Sequence, residues 1–222
     1  LFANYMLPKL LIWGASGHAS VVADIVRLQG KYEIFGFIDD INPQFCSKQF
    51  CGYPIFGGQE YLDVCKAQGV QYIIFGFGNC QMRLKLSQLA SEQGFSLATA
   101  IHPSSIIASD VSVAAGTVIA AGAVVNSGAK IGQNVILNTS SSVDHDCLIE
   151  DGSHICPGVH LAGKVVVERA AWVGIGATVV EKVRIGASSV IGAGAVVIGD
   201  IPSGVVAYGV PAKVIRKITV ND

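Results

Sequence analysis

From Ile101 to Pro202 the chain repeats a six-residue pattern of large aliphatic and small residues, seventeen units long and unbroken in phase. Position one is always Leu, Ile or Val, running from Ile101, Ile107 and Val113 through Leu137, Val143 and Ile149 to Ile185, Ile191 and Val197. Position five is Ala, Ser, Thr, Cys or Val everywhere except Ile201. A period of six matches neither the 3.6 residues of a helical turn nor the two-residue alternation of an open sheet. It matches a chain wound as a prism. Each unit supplies one short flat strand and a corner, and three units close one coil. The large aliphatic then fills the axis, with the small residue beside it near a corner.

The first hundred residues follow another rhythm. Lys9–Trp13 reads as a strand, followed by Gly14-Ala15-Ser16-Gly17-His18 and a helical stretch over Ala19–Gln29. A second strand, Glu33–Ile38, ends in Asp39-Asp40, and residues 41–58 are rich in turns. Gln59–Ala67 is helical, Tyr72–Phe75 a third strand with the exit turn Gly76-Phe77-Gly78-Asn79, and Gln81–Gln93 a further helix. Phe95–Ala100 leads into the repeats. Alternating strands and helices imply a small parallel, Rossmann-like α/β sheet. The chain thus divides into an α/β domain (1–100), a repeat domain (101–203) and a closing segment (204–222). In such sheets ligands bind beyond the C-terminal strand ends, where Gly14–His18, Asp39–Asp40 and Gly76–Asn79 should converge.

The glycine turn is not a dinucleotide fingerprint, which requires G-x-G-x-x-G. It keeps a tight turn and a helix N-terminus, enough to hold a phosphate or a sugar hydroxyl. Trp13 and Phe37 read as core rather than as base-stacking residues.

Composition narrows the partners. Charged residues are 14% of the chain and the net charge is -1, so no basic field exists to hold a nucleic-acid backbone. Low charge, with Val124, Val166 and Val196 outside the two core positions, suits walls that meet other copies in a closed ring. The apolar run Leu10–Trp13 is far too short to span a bilayer and reads as a first strand, not a signal peptide. Six cysteines (Cys46, Cys51, Cys65, Cys80, Cys147, Cys156) form no CxxC pair and read as free thiols of a reducing cytoplasm.

His145, His154 and His160 fall within the repeats. Their separations of nine and six residues put them on different walls or corners of one chain. The positions eighteen from His145 hold Ser127 and Gly163, so no metal is expected. A general base is the better use of His145, since an imidazole takes up a proton near neutrality and a carboxylate can orient it. Asp144 and Asp146 flank it, and the sequence alone does not say which orients the ring; a plain surface role stays open. His160 reads as structural or surface. Cys147, at a fifth position, reads as packing, while Cys156 is less constrained. No Cys–His couple or Ser–His–Asp spacing supports covalent catalysis.

The stretch from Ile131-Gly132 to Gly199 resembles the left-handed parallel β-helix of the hexapeptide-repeat acyltransferases, and Tyr208-Gly209-Val210-Pro211-Ala212-Lys213 resembles their closing motif. Gly14-Ala15-Ser16-Gly17-His18, Asp39-Asp40, Asn138-Thr139-Ser140-Ser141, His145-Asp146, Ser153-His154 and Gly158–Gly163 extend the likeness to residues 9–218. The chain resembles the bacterial sugar acetyltransferases that include the bacillosamine-pathway N-acetyltransferase and the sialic acid O-acetyltransferase-like proteins. This resemblance implies a cytoplasmic homotrimer with acetyl-CoA in the groove between neighbouring prisms and a nucleotide-linked amino sugar on the N-terminal domain. It implies His145 as general base assisted by Asp146, a shorter residue than the Glu of the bacillosamine enzyme. His154 would lie near the thioester. Gly14, Ser16, Gly17 and His18 would hold phosphates and part of the sugar, Asp39 and Asp40 would meet base and ribose, and Asn138 and Thr139 would flank the acceptor. Gly163, Gly174, Gly192, Pro211 and Lys213 would line the CoA path.

Two rival readings accompany it. The same residues could acetylate a hydroxyl of sialic acid or a related sugar; the scarcity of Lys and Arg around the first glycine turn favours the nucleotide-linked acceptor. Alternatively the prism could be a trimeric scaffold whose cap binds a sugar nucleotide without catalysis. UDP, GDP and dTDP remain open as the nucleotide.

Overall fold

In the computed structural model, residues 6–41 and 48–219 are described. Cys46 and part of the turn-rich loop lie outside them. The α/β domain runs β1 (Lys9–Trp13), α1 (Gly17–Gln29), β2 (Glu33–Ile38), a small hairpin of β3 (Gln49–Phe50) and β4 (Tyr53–Pro54), α2 (Leu62–Ala67), β5 (Val70–Phe75), α3 (Cys80–Glu92) and β6 (Ser96–Leu97). A single 3₁₀ turn over Gln59–Tyr61 precedes α2, and α1 begins two residues earlier than the apolar pattern predicts, at Gly17. The four-stranded sheet has the order β2-β1-β5-β6, all parallel.

Seventeen two-residue strands follow, β7 to β23, from Ala100–Ile101 to Val196–Val197. Each of the first fourteen pairs in parallel with the strand eighteen residues on, as Val118–Ile119 does with Ile136–Leu137. The result is a left-handed β-helix with three walls. Position one is buried in every unit from Ile119 to Val197, as is position five from Thr117 to Ile201. A fully buried Val, Ile or Leu contributes about 1.5–3 kcal/mol, so this axial column dominates the stability of the domain. Ile101, Ile107 and Val113 are only partly buried, because no coil lies beneath the first. Ile201 breaks the small-residue rule at the other end, where only one isolated bridge, to Ile185, continues its wall. The fourth residue of every unit from Gly116 to Gly194 has positive φ. Half of these are not glycine, Asp146 (φ 59) and Asn134 (φ 53) among them. The helix closes with β24 (Val205–Gly209), parallel to Val190–Ile191, and β25 (Ala212–Lys217), which folds back on it antiparallel.

The lower part of one wall is covered. Its outward residues Ala100, Val118 and Ile136 share a core cluster with Ile12, Ala19, Val22 and Val26 of β1 and α1. The α/β domain therefore sits on that wall; within the domain, Gly76 lets α1 pack closely on the end of β5, since a Cβ there would lie 2.6 Å from that of Ala19. Outward residues of the next coils up the same wall are His154 and Trp172.

Candidate active site

The C-terminal ends of β1, β2 and β5 meet as the parallel sheet requires. The N–H of Gly14 donates to the carbonyl of Ile38 (2.7 Å) and that of Gly76 to Trp13 (2.7 Å). Asp39 is buried and organises the loops, accepting from the N–H groups of Ala15 (2.9 Å) and Ile41 (2.8 Å). Asp40 accepts from the indole N–H of Trp13 (2.6 Å) and the N–H of Gln59 (2.7 Å). Around them opens a mostly apolar cavity of about 380 Å³, lined by Trp13, Gly14, Ser16, Asp39, Asp40, Ile41, Gln59, Phe77, Asn79, Met82 and Leu86. Trp13 is both core, 2% exposed, and cavity wall, which the apolar pattern alone does not reveal. Ser16 caps α1 without a side-chain bond to its first turn, so the N–H groups that begin at Gly17 and His18 remain available beside the cavity.

His18 leads from this cavity to the prism. Its ring lies 6.2 Å from that of His154, which in turn meets the edge of Trp172 at 6.2 Å. His154 is 7% exposed and pressed against Gly78, and its Nε2 is 3.2 Å from the amide nitrogen of Asn138. The buried Nε2 of His18 and Nδ1 of His154 make no hydrogen bond of ordinary geometry. Burial, reinforced by the charge of Arg83, lowers the pKa of His18 to about 4; burial, Arg83 and then His18 lower that of His154 to about 3. Both rings are neutral near pH 7. Thr139 lies just outside, its N–H donating to Asn138 Oδ1 (2.8 Å).

His145 stands elsewhere, at the corner between the other two walls, after Ser142–Val143 and before Leu148–Ile149. Its Nδ1 is 2.9 Å from Asp146 Oδ2. Asp144 instead accepts from the backbone N–H of His145 (2.7 Å) and from Asn126 (2.9 Å). The two flanking carboxylates therefore differ: Asp146 meets the ring and Asp144 the turn. The left-handed conformation of Asp146 belongs to the corner geometry and accompanies the short reach of its side chain back to the preceding residue. Beneath the ring lies Gly163, eighteen residues on, where a Cβ would sit 2.5 Å from His145 Nε2. With Nδ1 facing a carboxylate, the Nδ1–H tautomer leaves the Nε2 lone pair open to accept a proton, and half the side chain is exposed.

The remaining predicted residues fall along one edge of the prism. Asn138, Cys156, Gly174 and Gly192 recur every eighteen residues there. A Cβ on Gly174 would meet the backbone of the next coil at 2.5 Å, and one on Gly192 would meet Tyr208 at 2.6 Å. Lys213 pairs with Tyr208 in the closing hairpin and is exposed, as is Pro211. Cys156 is more confined than its position suggests, 3% exposed with its thiol pushed up to about 12 by burial. Cys147 packs inward and its thiol is pushed up to about 11 by burial. Neither is set up as a nucleophile. His160 bonds Ser142 (2.8 Å) on an exposed wall.

Sequence reasoning passed over Arg83. It is 1% exposed, in the first turn of α3, and donates to carbonyls of both domains. A signal was present: Arg83 is in helical phase with Cys80, Ser87 and Ala90, the buried face of α3.

A coiled prism of hexapeptides with a histidine–carboxylate pair at an outer corner and an α/β cap defines the class, a left-handed β-helix acyltransferase. Residues 9–89 match the family model of the PglD N-terminal domain. A histidine-to-asparagine variant of perosamine N-acetyltransferase from Caulobacter crescentus, solved with CoA and GDP-perosamine, is 36% identical, covering 96% of this chain and 99% of that one, with a TM-score of 0.90. The acetyltransferase domain of PglB from Neisseria gonorrhoeae, solved with acetyl coenzyme A, is 32% identical over 94% of this chain and 100% of that one, with a TM-score of 0.86. GDP-perosamine N-acetyltransferase of Escherichia coli O157:H7 is 27% identical across 93% of this chain and 96% of its own length. Two further curated relatives match in part, the chain spanning 60% and 31% of their lengths. The chain belongs to the nucleotide-sugar N-acetyltransferases of the hexapeptide-repeat superfamily. Among the described residues no group of His, Cys, Asp or Glu could hold a metal, and no helix is long and apolar enough to cross a membrane.

Proposed function

We propose that this protein transfers an acetyl group from acetyl-CoA to the amine of a nucleotide-linked amino sugar, the C4 amine of an NDP-4-amino-4,6-dideoxysugar, with His145 as general base. The observation that carries this reading is the His145–Asp146 pair: Nδ1 is held 2.9 Å from a carboxylate while Nε2 remains free over Gly163. The neutral amine attacks the thioester carbonyl, forming the C–N bond as its proton passes to Nε2. The tetrahedral centre collapses with cleavage of the C–S bond, and CoA leaves as thiolate or thiol. A backbone N–H or His154 donates to the developing oxyanion. Alignment of amine and thioester supplies much of the acceleration.

The nucleotide occupies the cavity at Asp39 and Asp40, its phosphates at Gly14, Ser16, Gly17 and His18, with Asn138 and Thr139 beside the acceptor. CoA follows Gly163, Gly174, Gly192, Pro211 and Lys213. Within one chain His145 and the His18–His154 pair belong to different faces of the prism. That separation supports a homotrimer in which the corner of one chain completes the pocket of its neighbour. The exposed apolar residues Leu148, Ile175, Val180 and Ile198 support it as well. The cytoplasm, which supplies both substrates, is the proposed location.

The test is thiol release from acetyl-CoA with UDP-, dTDP- and GDP-linked 4-amino-4,6-dideoxysugars, beside His145→Ala. Turnover of one acceptor that falls ~10²-fold or more in the variant is expected. Turnover only with a sugar hydroxyl would replace the amine by an alcohol acceptor. Failure to bind acetyl-CoA would overturn the enzymatic reading.

A further inference from the structure

We infer that Arg83 is a positioning residue of the acceptor site, locking the turn that walls the nucleotide cavity to the coil that carries His154. The inference rests on the reading above. Arg83 is nine-tenths or more buried, and its guanidinium faces backbone carbonyls. Nη1 donates to Gly78 (2.6 Å) and, more weakly, to Phe77 (3.4 Å), in the exit turn of β5. Nη2 donates to Gly152 (2.8 Å) and Ser153 (3.3 Å), the two residues before His154, and Nε donates to Asn134 (3.2 Å) one coil below. The planar fork spans two segments that belong to different domains, which an ammonium cannot do with fixed geometry.

The arrangement is costly for a purely structural staple. A buried cation is usually paired with a carboxylate, because carbonyl dipoles only partly replace water. Among the described residues the partners of Arg83 are carbonyls and the Cys80 thiol (3.9 Å from Nη2), and burial lowers its own pKa. What the unneutralised charge does achieve lies beside it. Arg83 acts on both His18 and His154, and with their burial it keeps both rings uncharged. Among the described residues, the other ionisable groups that act on this cluster are the two histidines themselves and the thiols of Cys80 and Cys156, both held protonated by burial. Neutral imidazoles can accept from a sugar hydroxyl or donate to it, whereas imidazolium can only donate. Arg83 thus sets the distance between nucleotide cavity and His154, and also the form in which the two histidines meet the acceptor.

Two variants separate distance from charge. Arg83→Lys keeps the charge and loses the fork. Arg83→Met loses both. With the nucleotide amino sugar that the native enzyme uses, Arg83→Lys is expected to raise its KM about 10-fold while the KM for acetyl-CoA stays within twofold. Independently of turnover, histidine ring NMR of the free protein between pH 3 and 7 reads His18. Its midpoint, about 4 in the native chain, should rise in Arg83→Met and stay put in Arg83→Lys. If Arg83→Met does not fold, Arg83→Lys still decides the point through the KM ratio, together with displaced His18 and His154 ring signals against unmoved His102 and His160. Equal KM changes for both substrates, or unmoved His18 and His154 signals, would overturn the inference. Absence of turnover by the native protein would count against the proposed reaction alone, leaving the ring signals to judge Arg83.

Discussion

Gly163→Ala is a sharp test of the His145 corner, because it adds one methyl group beneath the ring and removes no polar group. That methyl would lie 2.5 Å from His145 Nε2, 2.7 Å from Cε1 and 3.0 Å from Cδ2. Ordinary contact begins at 3.4 Å, so the ring must retreat by roughly 0.9 Å or swing out of its bond to Asp146. Gly163 has no positive φ, so alanine brings no backbone strain. The side chain of His145 is 55% exposed, and moving it disturbs no core. Stability should therefore change by no more than ~0.5 kcal/mol. A displacement of about 1 Å at a catalytic group costs on the order of 10²-fold, so kcat should fall ~30- to 100-fold, equivalent to about 2–3 kcal/mol of transition-state stabilisation. The assay is thiol release under saturating acetyl-CoA, with thermal melting alongside. Gly199→Ala, where a Cβ meets nothing within 4 Å, is the control and should keep full activity. A kcat within twofold of the native value would refute the placement of His145 as base. So would a loss that tracks a drop in melting temperature.

Asp146→Asn keeps the corner, since Asn tolerates left-handed backbone, but removes the charge that faces Nδ1; kcat should fall at least ~10-fold with both KM values nearly unchanged. Asp40→Ala breaks the links to Trp13 and Gln59, and calorimetry should show nucleotide-sugar affinity reduced about 10-fold with acetyl-CoA affinity intact. Acid should destabilise the fold through His18 and His154. Their folded pKa values, about 4 and about 3, lie below the 6.5 of the unfolded chain, so below pH 6.5 the unfolded chain binds protons that the folded chain refuses. This contribution is complete above pH 6.5 and drains away as pH falls toward those values, by about 2 kcal/mol per histidine between pH 6.5 and 5. Urea midpoints should show that loss, and His154→Gln should lose correspondingly less; a native midpoint that does not move over this range would contradict the neutral pair.

The prism was legible because its two core positions obey a rule of volume that each unit repeats, so a period could be read directly from letters. The parallel sheet was legible from alternation, and with it the meeting of Gly14, Asp39 and Gly76 at the strand ends. What could not be read is whatever depends on which wall a corner faces. His145 and His154 lie nine residues apart, yet one projects from an outer corner and the other is sealed under the α/β domain; spacing excludes a shared wall but does not say which wall is covered. The choice between Asp144 and Asp146 was open for a related reason. Alternation along a strand would send both neighbours away from the ring, but these residues form a corner, and the left-handed backbone of Asp146 lets an adjacent side chain reach Nδ1. That conformation does leave a trace, since Gly, Asn, Asp and Ser fill most of the fourth positions, although Lys164, Ala170 and Lys182 obscure it. Arg83 shows the deeper limit. Read locally it is an ordinary helical residue in phase with Cys80 and Ser87, and nothing within α3 says that its partners are carbonyls at Gly152 and Ser153, some seventy residues away. Charge inside an interface is specified by the partner domain, so a single-sequence pattern can flag the buried phase of such a residue but cannot supply the reason it is there.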